Sequence, residues 1–117
     1  MKVKAIETGA EYELTAIDAG SGIEWTQDLI GNNRAFNADQ FRRNDDDEYV
    51  APQAEIDWWL PVIANLNKAS ELKEGAKAIG LMTDEAYAEL HSIECNDLDD
   101  QAAAEVEFFK TMLDNNG

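Results

Sequence analysis

Apolar residues fall at every second position in the first fifth of the chain. "KVKAIET", then "GA", then "EYELTAID" carries the period-two pattern of strands with one buried face. Gly9 and Ala10 predict a two-residue hairpin loop with glycine leading, as a type II′ turn requires. That register pairs Ala5 with Leu14, Val3 with Ala16 and Glu7 with Tyr12. Val3, Ala5, Tyr12 and Leu14 then share an inward face, while Lys4, Ile6, Glu13 and Thr15 point outward. "AGSG" marks a second turn, and "IEWT" reads as a candidate third strand. The expectation is an antiparallel β-meander of two or three strands.

The pattern changes at Thr26. "TQDLIG" offers Thr26 as N-cap, an acid in the first turn and Gly31 as a stop, which suits a short helix. "NNRAFNADQFRRNDDDEYVAP" is polar and lacks either period. It reads as a long exposed loop, with Asn37 capping a turn from Ala38 to Arg43.

Helical spacing governs the remainder. Ile56, Trp59, Leu60, Ile63 and Leu66 recur three and four apart, with Pro52 fitting the first turn. Pro61 removes one backbone donor and predicts a kink or a fresh helix start. In "SELKEGAKAIG", Ser70 is a cap candidate, Leu72, Ala76 and Ile79 share a side, and Gly80 stops the run. "MTDEAYAELHSIE" opens with Thr83 as cap and two acids in the first turn, and Met82 is placed to staple against Tyr87. A last helix starts near Asp97 or Asp99, with Ala102, Val106, Phe109 and Leu113 on its inner side. The fold class expected is α+β: the N-terminal meander with three or four C-terminal helices packed on it, forming a single domain over residues 1–117.

Charge changes this picture more than composition does. The chain holds 25 Asp and Glu against 9 Lys and Arg, a net charge of -16, yet is 44% hydrophobic. A disordered acidic tail would be poor in aromatics, and this chain has three Trp, three Tyr and four Phe. Such a charge repels phosphates and anionic lipid, and attracts basic surfaces. No direct nucleic-acid or membrane partner is expected; solubility alone is the plainer explanation of the acids. From residue 83 onward there are ten acids and one base, Lys110. Helix dipoles account for the acids of the first turns, not for Glu107 or for the tally as a whole.

Candidate chemistry is sparse. His91 and Cys95 stand four apart, as on one helix face, but they are the sole His and Cys, and metal sites usually need three or four strong ligands. "NDDDEY" has the alternating oxygens of Asn44, Asp46 and Glu48 but no glycine at the sixth position of a calcium loop, and Glu55 is the twelfth residue. Arg42 and Arg43 can pair with those acids, so a solvated loop tip is expected, with no metal and no cofactor. No glycine-rich phosphate loop and no nucleophile motif is present, so the chain is expected not to be an enzyme. Trp58 falls about 100° off the buried stripe. It is a candidate partner contact, or else a second packing layer. One cysteine, no signal-peptide core in "MKVKAIETGA" and no run near the ~20 apolar residues of a membrane span suit a cytoplasmic protein.

In size and charge the chain is similar to the small acidic inhibitors carried by phages and plasmids, the anti-restriction and anti-CRISPR proteins; no motif carries the likeness. It implies a protein that imitates nucleic-acid charge and occupies a basic groove on a nuclease or other nucleic-acid-binding complex, in the host cytoplasm. The expected contacts are Glu85 and Glu89 on the helix preceding the last, and Asp100, Glu107 and Asp114 opposite the inner stripe of the last helix. The alternative is a generic accessory or homo-oligomeric protein, acidic for solubility.

Overall fold

The computed structural model describes residues 1–32 and 41–116. Four strands, β1 (Lys2–Ala5), β2 (Glu11–Glu13), β3 (Arg42–Arg43) and β4 (Tyr49–Ala51), form one sheet in the order β2-β1-β4-β3. The helices are α1 (Thr26–Asn32), α2 (Gln53–Ala78), α3 (Asp84–His91) and α4 (Leu98–Asn116). The class is α+β, as the alternation followed by helical spacing predicts.

The hairpin keeps the expected faces but not the expected register. Val3 pairs with Tyr12 and Lys4 with Glu11, a slip of four residues from the pairing that Gly9-Ala10 implied. The loop runs from Ile6 to Gly9: the Ala5 N–H donates to the Ala10 carbonyl at 2.9 Å, and the Gly9 N–H to the Ala5 carbonyl at 2.8 Å. Gly9 has φ 72°, so glycine serves the left-handed position that ends the loop and does not lead it. An even slip returns every side chain to its own face. Val3, Ala5 and Leu14 are therefore buried and Tyr12 half-buried against the core.

The sheet is not a simple meander. "IEWT" contributes a single bridge, Ile17 with Glu24, and no strand. The remaining strands come from the stretch read as loop: β4 pairs parallel with β1 and antiparallel with β3. At two and three residues, β3 and β4 are too short to show an alternation, and a parallel partner 46 residues along the chain, Val3 with Tyr49, is a non-local choice. The turn expected after Asn37 begins outside the described residues; its end, Arg42–Arg43, is β3.

α2 runs unbroken through Pro61 and Ser70, so the expected kink or restart is not a helix end. Pro61 and Asp57, whose carbonyl loses its donor, both stand on the exposed side, where water can satisfy it. Ser70 caps nothing; its Oγ accepts the Ala19 N–H at 2.9 Å. One turn earlier, Asn67 accepts from the Ile17 N–H at 2.9 Å and donates to the Thr15 carbonyl at 2.7 Å. Together they moor the 15–19 segment along α2. Thr26 is likewise not the N-cap: it is the first residue of α1, is buried, and accepts the Ala16 N–H at 2.7 Å. Gly31 lies inside α1. Ile79, expected on one side with Leu72 and Ala76, lies just past the end of α2 and is 54% exposed where Ala76 is buried.

The core lies between the sheet and α2. Val3, Ala5, Leu14, Ala16 and Ala51 meet Ile56, Trp59, Val62, Ile63 and Leu66, with Leu29 and Ile30 of α1 at one side. At 26 residues α2 is about 39 Å long, which outreaches the sheet. α4 packs along it, burying Leu98, Ala102 and Phe109 and half-burying Val106 and Leu113.

One acid is inside. Glu55 is 1% exposed and its carboxylate accepts the Trp59 Nε1–H at 3.3 Å. Burial pushes its pKa above the ordinary 4.5, the Trp59 hydrogen bond only partly opposing this. A carboxyl whose folded pKa is raised stabilises most below 4.5, and that stability is lost as pH rises through the folded value. Glu48, held below 4.5 by the Asn44 amide and Lys4, and Asp18, held below 3.8 by the Gly20 N–H, act oppositely, and lose their contribution as pH falls below those values. Thermal melts should therefore show stability rising from neutral pH to about pH 5 and falling below about pH 4. Added salt should raise it at neutral pH by screening self-repulsion. Glu55→Gln should melt higher than wild type at pH 7 and level with it at pH 4; a constant offset at both would remove Glu55 from the account.

Candidate functional site

From Asp84 to Asp114 there are ten acids and one base, Lys110; eight of the ten acids lie on α3 and α4, and Glu94 and Asp97 lie between them. Thr83 caps α3, its Oγ1 accepting the Ala86 N–H at 3.2 Å, and Asp84 and Glu85 fill the first turn. α4 starts at Leu98 with Asp99 and Asp100 in its first turn. Of the ten acids from Asp84 to Asp114, eight are exposed, and Asp97 and Glu105 are half-buried. Among the described residues none of the ten makes an ion pair; the side-chain pairs present join Lys4 to Glu48, Arg43 to Asp47 and Lys77 to Glu74.

The five acids expected to contact a partner are all exposed: Glu85 and Glu89 on α3, and Asp100, Glu107 and Asp114 on α4. The last three are seven residues apart. That spacing keeps them on one side, about 10 Å from one to the next, and 120–160° from the buried Ala102 at roughly 100° per residue. Glu89 and Glu107 line one groove, between the end of α3 and the outer side of α4, with a volume of about 650 Å³. Its other walls include Ile93, Ala104, Phe108 and Met112. Trp58 is not gathered with these acids. It sits on α2, half-buried against the core, its ring edge-on to Trp59 with centroids 4.9 Å apart.

The other candidates resolve into structure. Asn44 Oδ1 accepts the N–H groups of Asp46 and Glu48 at 3.1 and 2.9 Å, and its amide donates to Glu48 Oε1 at 3.3 Å. Asp47 sits at φ 62° and pairs with Arg43 at 2.7 Å. Of the oxygens that suggested calcium, those of Asn44 and Glu48 build a tight β3–β4 turn and an ion pair to Lys4. His91 ends α3, so Cys95 lies beyond the helix and the expected shared helix face does not exist. Among the described residues no three His, Cys, Asp or Glu side chains are grouped to hold a metal, and no helix is long and apolar enough to cross a membrane.

A second cleft, about 550 Å³, opens where the 18–25 segment meets α2 and α4. Leu29, Leu66, Ala69 and Phe109 line it with Asp18 and Lys73. Ile23 and Trp25, 65% and 36% exposed, also line it. Sequence reasoning missed both hollows. The signal for the first was present: Ala104, Phe108 and Met112 recur every four residues, a second apolar stripe on a helix already supplied with one.

Comparison with known protein families, with curated proteins and with solved structures finds no match to this chain.

Proposed function

We propose that the protein is a non-enzymatic binding protein that docks the acidic outer side of α3 and α4 on a basic surface of a nucleic-acid-handling protein, such as a nuclease. It acts there as an inhibitor or nucleic-acid mimic of the phage and plasmid anti-defence kind, in the host cytoplasm. The observation that carries this reading is the state of the ten acids: eight exposed, none ion-paired among the described residues, and eight of the ten on helices whose apolar rows already account for packing. Like charges a turn apart cost a few tenths of a kcal/mol per pair. Folding gains nothing from them beyond the first turns, whereas long-range attraction to a basic partner does.

The test is capture of partners by the wild-type chain and by a variant with Glu85, Glu89, Asp100, Glu107 and Asp114 reversed to Lys, at low and high salt. Wild type should retain a basic nucleic-acid-binding protein at low salt, release it at high salt, and lose it on reversal. Equal capture by both, or no basic protein recovered, removes the proposal.

A second reading draws on the exposed Ile23, Ile79 and Trp25: an accessory protein that associates through apolar contacts, its acidity serving solubility. It predicts capture that reversal leaves intact and that salt strengthens.

A further inference from the structure

We infer that the groove between α3 and α4 receives an amphipathic helix of the partner, apolar on one face and basic on its flanks. This rests on the proposed acidic binding face and specifies what that face recognises. α4 is apolar on two sides. Leu98, Ala102 and Phe109 are spent on the core. Ala104, Phe108 and Met112 centre about 100° away around the helix, half-buried, and line the groove with Ile93. The stripe spans about 12 Å, two turns, the length that an i, i+4, i+8 row on a second helix would cover.

Charge selects the occupant. Glu89 lines the groove from α3 and Glu107 from α4, and Asp100 and Asp114 continue the line of Glu107 along about 21 Å of helix. A second copy of this chain would bring more negative charge, at -16 apiece, and like charges oppose the approach. A segment with Lys or Arg on both sides of an apolar row satisfies the walls and the edges together. Met112 supplies an adaptable contact, and the half-buried Phe108, edge-on to Phe109 at 5.3 Å, a rigid one.

The probe is a labelled 18-residue helical peptide with leucine and phenylalanine along one face and lysine on both flanks. A scrambled peptide of the same composition, with no apolar face, is the control. Binding to the full chain is read by fluorescence anisotropy, and the wild-type contact surface by amide chemical-shift mapping. The amphipathic peptide should bind at least tenfold tighter than the scrambled one, with shifts concentrated at residues 89–93 and 104–115. Phe108→Gln with Met112→Gln should weaken it at least tenfold. Equal binding of both peptides, shifts spread elsewhere, or a variant that binds normally overturns the groove while leaving a salt-sensitive acidic face in place. If neither cationic peptide binds wild type at low salt, the acidic face fails with it.

Discussion

Reversing Glu85, Glu89, Asp100, Glu107 and Asp114 to Lys should slow association with the basic partner roughly 10- to 10³-fold at low ionic strength, the range over which charge steers encounter. All five are exposed, and among the described residues none is ion-paired, so no packed contact is lost. Melting temperature should change little, because reversal relieves repulsion on a chain of net charge -16 but gives up the helix-dipole stabilisation of the first-turn acids Glu85 and Asp100, about 0.3–1 kcal/mol each. The loss should appear in the association rate and shrink as salt is added, since exposed charges farther apart than about 8–10 Å are screened near physiological salt. Dissociation should change less. Surface plasmon resonance across a salt series separates the two rates. A loss confined to dissociation would mean that the acids make close contacts and do not steer.

The largest effect on stability should come from Trp59→Ala. Trp59 is fully buried between the sheet and α2, and emptying such a site costs about 3–5 kcal/mol where a whole domain has about 5–15. The cost should lie at the upper end at neutral pH. Removing the indole also strips Glu55 of its Nε1–H donor and leaves a buried acid without that partner. Trp59→Phe keeps most of the volume but not the donor, and should cost less than Trp59→Ala while losing more on going from pH 5 to pH 7 than wild type does. Urea unfolding at the two pH values checks this; a pH-independent difference would detach Glu55 from Trp59.

What the sequence reveals divides along physical lines. Faces are legible because alternation and helical spacing are local: Val3, Ala5 and Leu14 went inward even though the hairpin slipped four residues. Register is not legible, because an even slip costs no side chain its face. The parallel pairing of β1 with β4 is likewise hidden, since Arg42–Arg43 and Tyr49–Ala51 are too short to carry a period. Capping residues mislead where tertiary partners outbid the helix end. Ser70 and Thr26 have the chemistry of caps, but their hydroxyls accept from Ala19 and Ala16. Thr83, with no such competitor, caps α3 as expected. Exposure of Asp100, Glu107 and Asp114 follows from the inner stripe of α4. The meeting of Glu89 and Glu107 at an apolar groove does not, because that depends on how the short α3, which buries only Ala86, is set against α4.

The central claim is that the acidic side of α3 and α4 occupies the place of nucleic acid on its partner. Competition tests it most directly: the complex of the full chain with its captured basic partner is titrated with duplex or single-stranded nucleic acid at constant ionic strength. Mimicry predicts displacement of the protein by the nucleic acid, with the partner holding one or the other and never both. A ternary complex, with the acidic protein and the nucleic acid bound together at saturation, would contradict it.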